Sequence, residues 1–174
     1  MSYEEVYRRM LVALARRAGT LIRREELVRQ ALAARVNRPL AEALLKEIDE
    51  LLKLVPDFEQ AIKDAVERAL KEGKPVLETI LEDVIKGFTK ALPLAFIGTL
   101  DRMKKAIINA NEIINAANKI IEDLSEEGFH LPRIESIAVK DDIISLTQAL
   151  KTAKQVLQTI VEFFKELEKY GEEV

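Results

Sequence analysis

The feature that most constrains the fold of this chain is the apolar periodicity of its last 75 residues. From residue 100 to 124, and again from 143 to 167, apolar side chains recur at alternating intervals of three and four. This spacing lines one side of an α-helix and predicts two long helices that pack along their seams. The seams consist of Leu100, Met103, Ile107, Ala110, Ile114, Ala117, Ile121 and Leu124, and of Ile143, Leu146, Leu150, Ala153, Leu157, Ile160, Phe164 and Leu167. We expect both to lie in the core.

The stretch between these helices carries turn-forming residues. Residues 128–136 begin with Gly128 and include Pro132, which favours a loop that reverses the chain. The sequence therefore predicts an antiparallel hairpin of two helices, each roughly 40 Å long at 1.5 Å per residue. Such a hairpin would form the spine of a bundle.

Shorter helices are predicted before this hairpin, because no segment alternates with a period of two. The first ends at Gly19, and a second spans residues 21–36. Pro39 suits the first position of a third helix, which Pro56 ends. Two more follow over 57–73, with Gly73 as the stop, and over 75–92, before Pro93. The fold class is all-α.

Basic residues are distributed unevenly along the chain. The first 40 positions contain nine arginines, no lysine and four glutamates, a net charge of +5, whereas the rest has 18 basic and 26 acidic residues, a net charge of −8. The guanidinium fork pairs bidentately with phosphate and loses less than an ammonium on leaving water. We therefore expect residues 1–38 to form an arginine-rich helical arm and residues 39–174 an antiparallel helix bundle. The nine candidate nucleic-acid-binding residues are Arg8, Arg9, Arg16, Arg17, Arg23, Arg24, Arg29, Arg35 and Arg38.

The arginine pairs recur every seven to eight residues, which is about two helical turns. On a helical arm they would form a ladder opposite Met10, Leu14, Leu21 and Val28. This ladder predicts sequence-independent contact with the phosphates of duplex DNA, since few aromatic residues accompany it for stacking on single strands. The alternative is a helix face that only meets water.

Residues 24–55 resemble the helix-turn-helix of winged-helix regulators of the GntR type, with Val36, Asn37, Arg38 and Pro39 at the turn. The resemblance implies a transcription regulator. The glycine-rich wing of that family does not follow, because the next stretch has a helical pattern.

Catalytic and metal-binding patterns are sparse. The chain has no cysteine and one histidine, His130, whose Glu-x-x-His spacing with Glu127 falls at Gly128 in a predicted loop. No phosphate-binding glycine loop or nucleophile elbow is present. We expect no enzyme activity, metal, cofactor or small-molecule substrate. Four asparagines could bond between subunits, set the register of the helix or simply form a polar face: Asn109, Asn111, Asn115 and Asn118.

An arginine-only helical arm joined to a mildly acidic helix bundle resembles the major capsid proteins of filamentous viruses that infect hyperthermophilic archaea. The resemblance implies amino-terminal helices that wrap double-stranded DNA and a carboxy-terminal bundle that forms the wall of a virion. It also implies assembly with further copies or with a paralogous subunit, and an outer membrane envelope as a further partner. The lack of cysteine and the many charged residues suit a thermophile.

Three classes of function therefore remain open. A nucleocapsid subunit would reside in the virion, and a regulator would reside in the cytoplasm. A helical interaction scaffold would bind no nucleic acid.

Overall fold

The computed structural model describes residues 3–54, 67, 70–73, 95–126 and 132–171. These residues form four long helices and no strand: α1 (Tyr3–Leu21), α2 (Arg24–Leu54), α3 (Ala95–Glu126) and α4 (Ile143–Glu168). The all-α prediction is confirmed. The predicted helices over 57–73 and 75–92 lie largely outside the described residues, but Gly73 does adopt a left-handed φ of 70° at a turn after Lys71.

The core is built around α4, which packs against all three other helices. Every seam residue predicted for α4 is buried, and so are Val161 and Phe163 beside the seam. On α3 the seam is buried from Met103 to Leu124, with Leu100 half-buried. Ile114 and Leu157 are fully buried, as predicted. A helix that is apolar over most of its circumference needs neighbours on several sides, which explains the central position of α4.

Contacts along the helices define their directions. Gln30, in the first half of α2, contacts Asp123 near the end of α3, with Nε2 and Oδ2 3.0 Å apart. Glu47, in the second half of α2, pairs with Arg102 near the start of α3, 2.8 Å apart. These two helices are antiparallel.

The same order holds between α2 and α4. Arg38 pairs with Glu168, and Asp49 pairs with Lys154 at 2.7 Å. Since α3 and α4 both run opposite to α2, they run parallel to each other. The predicted antiparallel hairpin is therefore wrong in direction, although its seams are buried.

An extended segment, residues 132–140, makes the parallel arrangement possible, because it returns along α3 before α4 begins. Asn118 accepts a hydrogen bond from the Ile134 N–H at 2.8 Å and donates one to the Ile134 carbonyl at 2.9 Å. Asn111 makes the same two hydrogen bonds with the N–H and the carbonyl of Ile137. Seven helical residues span about 10.5 Å and three extended residues about 10 Å, so the two repeats match. The chain direction therefore changes twice, once between α3 and the extended segment and again between that segment and α4, whereas the prediction had a single reversal.

The start of α4 is fixed by a capping residue. Asp142 has an extended backbone, and its Oδ1 accepts a hydrogen bond from the Ser145 N–H at 2.8 Å. Partial burial acts to raise the pKa of Asp142, but the hydrogen bonds from Ser145 outweigh it and the pKa lies below its ordinary value. The charged carboxylate also suits the positive end of the helix.

The first 38 residues do not form a separate arm. Leu11, Ala15 and Ala18 of α1 are fully buried in the same core as α3 and α4. The first half of α2 contributes Leu27 and Ala34 to it. Their apolar stripes require a partner, and α4 supplies one. The chain boundary predicted at residue 38 falls inside α2.

Two helix breaks predicted from glycine and proline are wrong. α1 continues through Gly19 to Leu21, and the chain breaks instead at Ile22 and Arg23. α2 continues through Pro39, which lacks the N–H that would bond to the Arg35 carbonyl. Buried Ala34, Ala41 and Leu44 hold α2 against its neighbours on both sides of Pro39. The turn of the proposed helix-turn-helix is therefore helical, and the resemblance to winged-helix regulators does not hold.

Candidate nucleic-acid interface

The nine arginines of the first 40 residues lie mostly on the surface. Eight of them are exposed, and Arg38 is half-buried. On α1, Arg9 and Arg16 are two turns apart on the side opposite the buried Leu11 and Leu14. Because adjacent helical residues differ by 100°, the other member of each pair, Arg8 or Arg17, points to a different side. On α1, therefore, one arginine of each pair lies on the common face, Arg9 or Arg16, and not both members as the ladder predicts.

At least four of the arginines pair with carboxylates, mostly on other helices. Arg8 lies 3.5 Å from Glu162 and Arg16 lies 3.6 Å from Glu166, both on α4. Arg29 pairs with Glu26 at 2.7 Å and approaches Asp123 of α3 at 3.9 Å. The positive charge of the first 40 residues is thus matched in part by the acidic remainder of the same chain.

Arg38 is the most strongly engaged of the nine. Its guanidinium bonds to Glu168, which is 9% exposed, and to Glu42 at 3.1 Å. These hydrogen bonds, with the one to Glu168 the stronger, raise the pKa of Arg38 above its ordinary value. Glu168 needs this partner because a buried carboxylate without one is costly. Arg38 therefore holds α2 against α4, and its guanidinium is already paired with two carboxylates.

A second polar contact joins α2 to α3. Gln30 is 2% exposed and donates to Glu26 at 2.8 Å as well as to Asp123. The Gln30 hydrogen bond lowers the pKa of Glu26 below its ordinary value, partial burial opposes it, and Arg29 adds to the lowering. Arg29 thus belongs to a network that fixes the first turns of α2.

Five of the arginines lie where α1 turns into α2, near the carboxyl end of α4. We call Arg16, Arg17, Arg23, Arg24 and Arg35 the basic cluster; all five are exposed. Arg35 reaches the cluster from α2, since its Nη2 would lie 3.6 Å from a β-carbon added to Gly171. The carboxyl end of a helix carries partial negative charge, so cations there are favourable even without an external anion.

Tyr170 fixes the position of α1 within this cluster. Its ring lies directly over Gly19, where an added β-carbon would be 2.2 Å from the nearest ring atom. Its hydroxyl donates to the Arg16 carbonyl at 3.2 Å. The local sequence pattern predicts a helix stop at Gly19 and gives no sign of this contact, because nothing local in the sequence links residues 19 and 170.

Arg8 lies apart from the basic cluster, at an open groove of about 670 Å³. The groove is bounded by α1, by the extended segment and by α4, and Arg133 and Gln155 also line it. Tyr7 closes one side, where its hydroxyl donates to the Pro132 carbonyl at 2.6 Å. Arg9 is also outside the cluster, two turns before Arg16 on α1.

The described residues contain neither a cluster of metal ligands nor a helix that could span a membrane. Within the described ranges, no three acidic, histidine or cysteine side chains converge as metal ligands would. Glu127 and His130 lie outside those ranges. No described helix has the length and apolar character that a membrane span requires.

The chain matches no protein-family model, no curated protein and no solved structure. The function is therefore inferred from the positions, exposure and partners of the arginines.

Proposed function

We propose that this protein binds double-stranded DNA without regard to sequence and coats it as a structural packaging protein. The observation that supports the proposal is the exposure of eight arginines in a segment that has no lysine. Guanidinium groups on a surface contact phosphates in bidentate geometry, and such contacts carry no base information. The more specific proposal is a subunit of a filamentous viral nucleocapsid.

The internal ion pairs of Arg8 and Arg16 are compatible with DNA binding. Both are exposed, with 46% and 69% of the side-chain surface accessible, and their carboxylates lie at 3.5 and 3.6 Å. Exposed pairs of this kind contribute about 1 kcal/mol or less, so a phosphate can compete for the guanidinium.

The proposed mode of binding differs from wrapping by an arm. α1 is part of the bundle, so the protein would lie against the duplex with the outer side of α1 and the basic cluster. The proposed contacts are Arg9 and four members of the cluster, Arg16, Arg17, Arg23 and Arg35. Five contacts predict that log affinity falls against log salt with a slope of about −4.5.

A helical interaction scaffold is the second candidate, and one observation favours it. Arginines of α1 and α2 pair with carboxylates of α4, and the basic cluster lies at the negative end of that helix. These contacts account for part of the charge split without any external partner.

Changing Arg17 and Arg23 together to alanine tests the proposal, because both side chains are exposed, Arg17 near the end of α1 and Arg23 in the α1–α2 turn. We expect the salt slope to become shallower by about two units and the affinity for all duplex sequences to fall alike. Fluorescence anisotropy with two unrelated duplexes, between 20 and 300 mM salt, measures both.

The matched control is Arg133→Ala, which removes an exposed arginine outside the first 40 residues. It should leave the slope unchanged, whereas the loss of one phosphate contact would make the slope shallower by about 0.9. Undetectable binding at 20 mM salt, or equal slopes for the double variant and the starting protein, would leave the scaffold as the function. Electron micrographs with and without duplex then test the nucleocapsid proposal, which requires filaments that depend on DNA.

A further inference from the structure

The acidic residues of α4 all lie in about its last two turns, and each pairs with an arginine of the first 40 residues. The pairs are Glu162 with Arg8, Glu166 with Arg16, and Glu168 with Arg38. Glu166 has a second cation as well, because Lys169 Nζ donates to its Oε1 at 3.1 Å while Arg16 Nε lies 3.6 Å from its Oε2. One carboxylate therefore bridges two cations, one on α1 and one at the carboxyl end of α4.

We propose that Arg16 and Lys169 together bind one phosphate group of duplex DNA, and that the Glu166 carboxylate holds the two cations until DNA displaces it. The inference rests on the proposed DNA binding. It adds Lys169, which lies outside the arginine-rich segment, to the contacts. Carboxylate and phosphate form the same charge-assisted hydrogen bonds with arginine and lysine, so a pair of cations that shares one of these anions can accept the other.

Tyr170 holds the two cations on one surface. Its hydroxyl donates to the Arg16 carbonyl at 3.2 Å, and its ring lies over Gly19. Lys169 is the residue directly before Tyr170, so the contact that fixes α1 against the end of α4 also fixes the separation of Arg16 from Lys169. Their side chains are 69% and 64% exposed, and a ligand can reach both from solvent.

The three carboxylates of α4 differ in how readily their arginines can leave. Glu168 is buried and bonded to half-buried Arg38, and a buried carboxylate is costly to leave unpaired. Arg16 is exposed and contacts Glu166 at 3.6 Å, so this pair contributes little to stability and can exchange. The charge of Glu166 nevertheless opposes an arriving phosphate, and we expect it to lower the affinity for DNA.

Glu166→Gln tests the carboxylate, because the amide keeps the size of the side chain and can still accept a hydrogen bond from Lys169. The variant should bind duplex DNA about three- to fivefold more tightly at about 100 mM salt, measured by fluorescence anisotropy. The matched control for net charge is Glu50→Gln, which is exposed and lies fifteen residues after Arg35 on α2, about 22 Å along the helix. That distance exceeds the screening length of about 10 Å, so the gain should stay below about 1.5-fold.

An Arg16→Ala background shows whether the effect of Glu166 is local. With one of the two cations removed, Glu166→Gln should gain less than about twofold, since residues that share a site are not additive. An equal gain in both backgrounds would mean that Glu166 acts only through the net charge of the surface, and would overturn the proposal.

Lys169→Ala tests the added contact and does not depend on how α4 tolerates a change at Glu166. It should make the slope of log affinity against log salt shallower by about 0.9, and with this sixth contact the slope of the starting protein becomes about −5.4. The matched control is Lys151→Ala, an exposed lysine eighteen residues earlier in the chain, which should leave the slope unchanged. Circular dichroism should show all the variants folded.

Failure of this site and failure of the proposed function give different results. If the starting protein binds duplex DNA but Glu166→Gln binds no more tightly than Glu50→Gln, or Lys169→Ala keeps the full slope, the site is wrong and the proposed function stands. If neither the starting protein nor Glu166→Gln binds at about 20 mM salt, both are wrong. Binding by Glu166→Gln alone would support the site and show that the carboxylate blocks it in the starting protein.

Discussion

Four asparagines on α3 differ in what their side chains contact. Asn111 and Asn118 each bond to both the N–H and the carbonyl of a residue in the extended segment, whereas Asn109 and Asn115 are exposed. An extended segment without a sheet must find other partners for its backbone, and a side-chain amide offers one donor and one acceptor. From the sequence alone these residues could bond between subunits, set register or form a polar face. In the structure Asn111 and Asn118 hold the extended segment in register with α3, and Asn109 and Asn115 face outward.

Asn118→Ala should therefore destabilise the protein by about 1 to 3 kcal/mol, since it leaves the backbone of Ile134 without its two partners. Asn115→Ala, three residues earlier and exposed, is the matched control and should change the free energy of unfolding by about 0.5 kcal/mol or less. Urea denaturation followed by circular dichroism measures both. Equal effects at the two positions would contradict the anchoring role.

Gly19 is required by contact with Tyr170 rather than by backbone conformation. Gly19→Ala should destabilise by about 1 to 3 kcal/mol despite the better helix propensity of alanine, because the new methyl group would overlap the ring. In a Tyr170→Ala background the same change should be neutral or stabilising by up to about 1 kcal/mol. A double-mutant cycle by thermal or urea unfolding gives the coupling. Additive effects would show that the ring does not rest on Gly19.

At the scale of elements, α2 is the clearest departure from local sequence rules. A proline in the interior of a helix usually ends or kinks it, and Pro39 instead lies in the middle of a helix of 31 residues. Burial on both sides of Pro39 and the bond of Arg38 to Glu168 compensate for the lost hydrogen bond. Local signals correctly identified helix on both sides and could not report these distant partners.

Pro39→Ala should stabilise the protein by about 1 to 3 kcal/mol, because it restores the hydrogen bond to Arg35 and relieves the contact with its carbonyl. The midpoint of urea unfolding should rise with an unchanged slope. Ala43→Gly, an exposed change one turn later, should lower the midpoint and so control for helix propensity. A lower midpoint for Pro39→Ala would mean that α2 depends on the proline.

At the scale of the whole molecule, α4 is the element on which the others depend. α1 runs parallel to it and α2 antiparallel, and the turn at Ile22 and Arg23 joins them near its carboxyl end. Buried side chains of α1 and of the first half of α2 belong to the same core as α3 and α4. A protein of this arrangement should unfold in one transition.

The fragment that begins at Pro39 should therefore lose cooperative unfolding, because it lacks α1 and half of α2 and exposes the α4 side chains beneath them. Thermal unfolding followed by circular dichroism, with the full chain as the reference, measures this. A sharp unfolding transition of the fragment would instead show that residues 39–174 fold alone, as the predicted division at residue 38 requires.

The sequence by itself determined the fold class, the extent of the two long helices and the residues of their seams. It could do so because apolar periodicity is local and each seam, from Met103 to Leu124 and from Ile143 to Leu167, repeats many times. The exposure of most helical arginines of the first 40 residues followed for the same reason, since charged side chains on an amphipathic helix lie opposite its apolar stripe, but Arg38 is half-buried.

Only the tertiary structure decided the direction of α4, the continuity of α2 and the partners of the arginines. Each depends on residues far apart in the chain: Asn118 with Ile134, Arg38 with Glu168, and Gly19 with Tyr170. A glycine or proline marks where a helix can end, but packing energy decides whether it does. A positive net charge indicates where anionic groups are favoured. The fold decides whether those groups are carboxylates of the same chain, as for Arg8, Arg16 and Arg38.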